Sequence, residues 1–328
     1  MATAQRESFY DQISSNRRRS VLLVAIVVAI LAVVGFIIGY ALTGTLAGGY
    51  LAIAVAVVIA LVISAVSYYG GDSLVLAASG AKEVKPADAP QLMNVINELS
   101  IAAGIPPPKV YLIHDTAPNA FATGRDPAHA SVAITTGLLQ KLDREELQGV
   151  MGHELSHVRN LDIRFTLLVG ALVGSIALLA DFFLRFTFFG GAGRGRGRDS
   201  GGGGGAAILL VLALVLSILA PFFARMVQLA VSRQREFLAD ASSVELTRNP
   251  AGLQRALAKI AADQEVLEVA NRATQHLYIV NPIKKFESRA AGLTATHPPL
   301  VDRVNRLRQL TGEAPLDEVS MEALARLG

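Results

Sequence analysis

The 328-residue chain contains no cysteine. That excludes disulfides, thiolate-bound zinc and a cysteine nucleophile, and leaves any metal to be held by His, Asp or Glu. Charge is also scarce. Asp, Glu, Lys and Arg make up 17% of the residues, against roughly 25% in ordinary globular domains. Hydrophobic residues make up 52%. They are gathered into blocks, so the composition reads as membrane spans plus a polar domain, with the lipid bilayer as one partner. The net charge of +3 is small, and much of the basic excess flanks the apolar blocks. It reads as membrane-flank charge, and no nucleic-acid partner is expected.

Four apolar blocks are present. Val21 to Leu42 is uncharged, and Leu51 to Tyr69 follows a Gly/Thr-rich turn at Thr43 to Gly49. About 20 apolar residues suffice to cross a bilayer as a helix, so residues 21–69 read as a transmembrane hairpin preceded by a segment 1–20. The first block is too long for the apolar part of a secretory signal and leads directly into a second span. Blocks three and four, within 165–231, carry Asp181, Arg185, Pro221 and Arg225 and read as a second membrane hairpin. Between them, residues 190–205 include ten glycines and three arginines. This is a flexible linker by composition, with a faint likeness to glycine–arginine RNA-binding tracts.

The polar parts, 70–164 and 232–328, read as two portions of one domain. The class expected is mainly α with a small β-sheet and four membrane helices. Leu92, Val95, Ile96 and Leu99 have helical spacing within 87–103. Val110 to Ile113, after three prolines, and Ser131 to Thr136 read as strands. Asp143 to Asp162 reads as a helix with acids in its first turn.

That helix carries His153-Glu154-Leu155-Ser156-His157. Residues four apart share a helix face one turn apart, so two imidazoles can converge on one ion. Glu154 adjoins the first histidine and can reach a water on that ion to take its proton. A catalytic zinc keeps three protein ligands and one open position. Glu236 is the candidate third ligand. Asp240, one turn further on, could accept a hydrogen bond from a ligating histidine and fix its tautomer. Alone, these two acids suit a solvated helix face; with the histidines, they complete a site for one Zn2+. Glu236 follows His157 by 79 residues, with blocks three and four between them. Two crossings return the chain to the same side of the membrane, which lets the groups meet. Arg17, Arg18, Arg19, Lys82, Lys85, Arg159, Arg164, Arg233 and Arg235 fall on that side, so the positive-inside rule favours a cytoplasmic catalytic domain and N-terminus. Arg194, Arg196 and Arg198 in the glycine loop weigh the other way.

These motifs resemble the HtpX family of membrane zinc metalloproteases, related to the CAAX prenyl-protease type. The resemblance extends over nearly the whole chain. It rests on the N-terminal hairpin, Pro118 to Gly124, Ser131 to Leu139, His153 to His157 with Asn160 and Asp162, Glu236 to Asp240, and Thr296 to Leu300 with Arg303. It implies a gluzincin-like zinc metalloprotease domain and a multi-pass inner-membrane protein. It also implies endoproteolysis of damaged or misfolded membrane proteins or unfolded polypeptides, in protein quality control and the stress response. It makes His153, His157 and Glu236 the zinc ligands, Glu154 the base and Asp240 the group that orients a histidine. Asn119, Ala120 and Phe121 would line the substrate cleft, with the following strand as a sheet edge able to pair with an extended peptide. His297 and Arg303 would stabilise the oxyanion of the tetrahedral intermediate, although His297 equally suits a cap on a helix starting at Pro298-Pro299. The long glycine loop departs from the family pattern.

Two other readings exist. A protease working inside the bilayer is disfavoured by Lys141, Asp143, Arg144, Glu145, Glu146, Arg159 and Asp162 around the histidines, which hydrocarbon would not tolerate. A catalytically idle membrane scaffold is disfavoured by the intact Glu154.

Overall fold

The computed structural model describes residues 9–168, 233–263, 265, 267, 278–279 and 298–326. Beyond residue 168 the third apolar block, the glycine loop and the fourth block lie outside the described residues, as does His297. The chain divides into two compact units. One comprises Arg18–Tyr69 and Leu168–Leu229; the other comprises Met1–Arg17, Gly70–Leu167 and Ala230–Gly328.

In the first of these units, helices α1 (Phe9–Thr43) and α2 (Leu46–Ala78) lie side by side. Both are long and apolar enough to cross a membrane. Gly35 and Gly39 abut Ala56 and Ala52 closely enough that a Cβ on either glycine would collide, and small residues of this kind let membrane helices approach. Phe36 packs on Tyr40 and Tyr50. Large apolar side chains are left bare on the outer face of α2, with Leu51 at 69% exposure and Val58 at 60%. Water would not stabilise such a surface, whereas hydrocarbon does.

The turn differs from the sequence expectation. Instead of Thr43 to Gly49, it occupies only Gly44 and Thr45. Gly44 adopts φ +67°, which lacks a steric cost only in glycine. The Thr45 hydroxyl accepts the Gly48 N–H at 3.2 Å and starts α2 early. Gly48 and Gly49, read as loop residues, instead form helix surface against Gly39 and Phe36.

The other unit contains a four-stranded sheet of β1 (Lys82–Glu83), β2 (Lys109–Ile113), β3 (Ala120–Gly124) and β4 (Ala130–Thr135). The order is β1-β2-β4-β3, with β2 and β4 parallel and the other pairs antiparallel. The expected edge, the strand after Gly124, is therefore interior, and β3 is the outer strand. The apolar β4 is buried along its whole length, which suits a strand paired on both sides.

Helix α3 (Pro90–Ala103) buries Leu92, Val95, Ile96 and Leu99, the helical stripe read from the sequence. A short helix α4 (Thr136–Lys141) leads to α5 (Arg144–Arg159), which is started by a reciprocal capping box between Asp143 and Glu146. Buried Glu146 also takes Lys259 at 2.8 Å and Arg255 at 3.5 Å, which fastens α5 to α7. The later helices are α6 (Arg233–Thr247), α7 (Pro250–Ala262), α8 (Leu300–Thr311) and α9 (Glu318–Arg326). Gly149 lets the Leu253 backbone of α7 lie against α5, where a Cβ would meet it at 2.7 Å. Ser243 Oγ of α6 donates to the Gly149 carbonyl at 2.6 Å. These close contacts set α6 in register with the histidine-bearing face of α5. The fold is mainly helical, with one small mixed sheet.

Candidate metal centre

Helix α5 turns His153 and His157 inward on one face. Their Nε2 atoms lie 3.2 Å apart, with the rings at 88° to one another. Glu236, in the first turn of α6, places its two carboxylate oxygens 3.6 Å from His153 Nε2 and 3.6 Å from His157 Nε2. Zinc bonds of about 2.0–2.1 Å at tetrahedral angles separate ligand atoms by roughly 3.3–3.4 Å. The observed separations, with a different Glu236 oxygen nearest each histidine, bracket that value, and one ligand atom from each residue lies within 4.8 Å of the others. Among the described residues, this is the one group of three or more His and acidic side chains with ligand atoms so convergent. Two imidazole nitrogens and a carboxylate are also a donor set that zinc accepts, so the residues present fit the ion.

The outer nitrogens of the histidines are anchored. His153 Nδ1 donates to Asp240 Oδ1 at 2.9 Å, and His157 Nδ1 donates to Asp162 Oδ2 at 3.0 Å. With each Nδ1 holding its proton against a carboxylate, each Nε2 presents a lone pair to the ion. Arg303 from α8 clamps Asp240 through Nε at 2.9 Å and Nη2 at 2.7 Å. Arg235 of α6 approaches Asp162 at 3.9 Å and covers the Phe165 ring. Each histidine is thus backed by an aspartate that has an arginine beside it.

The electrostatics follow from burial and these pairs. Burial and the Arg303 charge both oppose protonation of His153, yet hydrogen bonds to Asp240 and Glu236 outweigh them and hold its pKa up to about 9. Burial works to raise the Asp240 pKa, but Arg303 and His153 together more than offset it and keep the carboxylate below its usual range. Glu154, 2% exposed, is pushed upward by burial, partly countered by the histidines. Of the two histidines, His157 is the one with solvent access, its side chain 16% exposed against 1% for His153. The open side of the centre therefore lies beside His157.

Sequence reasoning named His153, Glu154, His157, Glu236 and Asp240, and the structure brings these five together. Arg303 is also present, its Nη2 3.2 Å from His153 Nδ1 and 3.4 Å from His153 Nε2. It is fully buried, and besides Asp240 its Nη1 donates to the Ile279 carbonyl at 3.1 Å. Asn119, Ala120 and Phe121, expected beside the cleft, are all buried. Asn119 is buried and bonded to Thr135 through its backbone. The Ala120 carbonyl accepts the Ile279 N–H at 2.9 Å. The Phe121 side chain is fully buried edge-on against Tyr278. All three are committed to the protein's own packing.

Neither Asp162 nor Arg235 is assigned a place in the metal centre by sequence alone. In a helix running from Asp143 to Asp162, a position five residues after His157 points to another face. The helix instead ends at Arg159. Leu161 adopts φ +58°, and a new helical stretch, 162–168, begins with Asp162 turned back towards His157.

Residues 86–311 match the profile of Peptidase family M48. A relative described as "Protease HtpX homolog" from Pediococcus pentosaceus is 50% identical over 238 residues, covering 73% of this chain and 79% of that protein. Proteins of the same description from Listeria monocytogenes serotype 4b (strain F2365) and Caldanaerobacter subterraneus subsp. tengcongensis are 48% and 42% identical. They cover 73% and 75% of this chain, and 80% of each relative is matched. Among solved structures, that of S. mikatae Ste24p matches with a TM-score of 0.44 and 18% identity, over 90% of this chain and 66% of that one.

Proposed function

Because the chain belongs to peptidase family M48 and is a membrane zinc metalloprotease, we propose that His153, His157 and Glu236 hold its single zinc ion and that Glu154 is the general base. The observation that carries this assignment is the convergence of these three side chains, whose ligand atoms all lie within 4.8 Å of one another.

Zinc bound there supplies Lewis acidity, which acidifies water to a pKa of about 7 and polarises a carbonyl. The rest falls to the chain. Asp240 and Asp162 hold the two imidazoles in the tautomer that leaves Nε2 open. Glu154 accepts a proton from the attacking water, and its burial-raised basicity suits that task. The water oxygen bonds to the peptide carbonyl carbon, the C–N bond breaks, and Glu154 returns the proton to the leaving nitrogen. The products are a carboxylic acid and an amine, which settle as carboxylate and ammonium once the acid proton passes to the amine. Cleavage of casein or an unfolded membrane protein by the detergent-purified enzyme, abolished by Glu154→Gln with zinc retained, tests this reading.

The substrates proposed are damaged or misfolded membrane proteins and unfolded polypeptides, as in protein quality control. Bare apolar surface on α1 and α2 supports a site working beside the bilayer where such chains emerge. The domain scheme proposed is a membrane hairpin at 21–69, a second at 165–231, and protease portions at 70–164 and 232–328. This is a multi-pass protein of the inner membrane with its catalytic domain in the cytoplasm, as the basic flanks favour. A reporter fused after Ser200 is expected on the face opposite to one fused at Gly328. Both on the same face would contradict a second hairpin.

A further inference from the structure

We infer that Arg303 is a positioning residue that ties the outer strand β3 to the zinc-binding histidine through one continuous, buried hydrogen-bonded chain. The inference rests on the reading of His153 as a zinc ligand.

The links are all short. The Ile279 N–H donates to the Ala120 carbonyl on the outer side of β3 at 2.9 Å. Arg303 Nη1 donates to the carbonyl of the same Ile279 at 3.1 Å. Arg303 Nε and Nη2 donate to the two oxygens of Asp240 at 2.9 and 2.7 Å. Asp240 Oδ1 then accepts from His153 Nδ1 at 2.9 Å, and His153 Nε2 faces the metal position. Neighbouring Tyr278 pins the middle of this chain. It is fully buried, stacked edge-on against Phe121 at 5.0 Å, with its hydroxyl 3.2 Å from Ser79 Oγ.

The geometry separates two roles that an arginine near a zinc site can have. A donor to a developing oxyanion must aim at the open side, beside His157. Arg303 is 0% exposed, with Nε and Nη2 on Asp240 and Nη1 on the Ile279 carbonyl, and Nη2 also lies 3.2 Å from His153 Nδ1 and 3.4 Å from His153 Nε2. Its planar fork meets a carboxylate and a backbone carbonyl at once, which a lysine ammonium at one point cannot do. The guanidinium also sits 3.9 Å from Glu236 Oε2, where its charge helps the site tolerate closely placed acids. The consequence is mechanical. Helix α8, some 60 residues beyond Asp240 in the chain (303 against 240), sets the azimuth of a metal ligand. Through Ile279 it also holds the outer side of β3 at Ala120, so strand and ligand are fixed by one group. A misplacement of about 1 Å can cost two orders of magnitude in rate.

The test is a double-mutant cycle on the full-length, detergent-purified protein. It combines Arg303→Lys and Asp240→Asn, with zinc affinity measured by chelator competition and the Co2+ absorption spectrum as a second readout. Arg303→Lys is expected to weaken zinc by about 10–100-fold, the usual effect of losing an outer partner of a ligand. It should also perturb the Co2+ spectrum. The double variant should be no weaker than the weaker single one, because both act on the same histidine. Unchanged zinc affinity with a fall in kcat at saturating zinc would make Arg303 an oxyanion donor and overturn the inference. Strictly additive losses would also overturn it. If Arg303→Lys does not fold, the neutral pair Arg303→Gln with Asp240→Asn carries the comparison. Weakened zinc supports the inference, and wild-type affinity refutes it. His153→Ala separates the two levels: if that variant loses zinc while the Arg303 variants keep it, the inference fails and the metal assignment stands.

Discussion

Glu154→Gln is expected to lower peptide-bond cleavage about a thousandfold while one zinc per chain remains bound. General-base catalysis is worth roughly 10²–10⁴ in rate, and Glu154 is the acid adjacent to the first histidine but outside the His153, His157 and Glu236 group. Glutamine has the same shape and no basic oxygen of comparable strength. Burial already disfavours the Glu154 carboxylate, so a neutral amide should leave the thermal midpoint unchanged or slightly higher. The measurements are zinc content, the helical circular-dichroism melt and casein cleavage on the same preparation. A variant that keeps zinc and fold and still cleaves at the wild-type rate would remove Glu154 from the mechanism.

Glu236→Ala acts on the other half of the account. It removes one of three ligands and leaves two imidazoles, so zinc affinity should fall by well over about a hundredfold, since even outer partners are worth about 10–100-fold. The same carboxylate helps hold the His153 pKa up to about 9 in the metal-free site. Its removal should therefore make His153 easier to deprotonate. The zinc loss will then reflect the missing ligand rather than stronger competition from protons. The fold should survive, because α6 is also held by Ser243 on Gly149 and by Arg303 on Asp240. Metal analysis after dialysis against a weak chelator reads the outcome. Full zinc retention in the variant would mean that the third ligand lies elsewhere.

Much of this was legible in the sequence because it is periodic. His153 and His157 are four apart, and Leu92, Val95, Ile96 and Leu99 follow a helical stripe, so local spacing alone fixes a face. Glu236 and Asp240 were legible only through the histidines, as acids in want of a partner. What the sequence concealed were places where the backbone breaks its own period. Asp162 supports His157 because Leu161 takes a left-handed conformation, and a β-unbranched, ordinary residue gives no sign of that. Gly48 and Gly49 look like turn residues, yet they serve as packing surface because Thr45 caps the helix before them. The order of the sheet, with β3 outermost, depends on which strands meet across the chain. Strand alternation carries no information about that. The partners of Arg303, Asp240 and Ile279, lie far from it in sequence, so local spacing gives no sign of them.

The central claim is that two imidazoles and one carboxylate surround a single ion. X-ray absorption at the zinc edge of the purified protein tests it most directly. The account predicts one zinc per chain with two imidazole nitrogens and oxygen ligands at about 2.0–2.2 Å, and a changed spectrum in Glu236→Ala. A zinc shell with fewer than two imidazoles, or one unaltered by loss of Glu236, would contradict it.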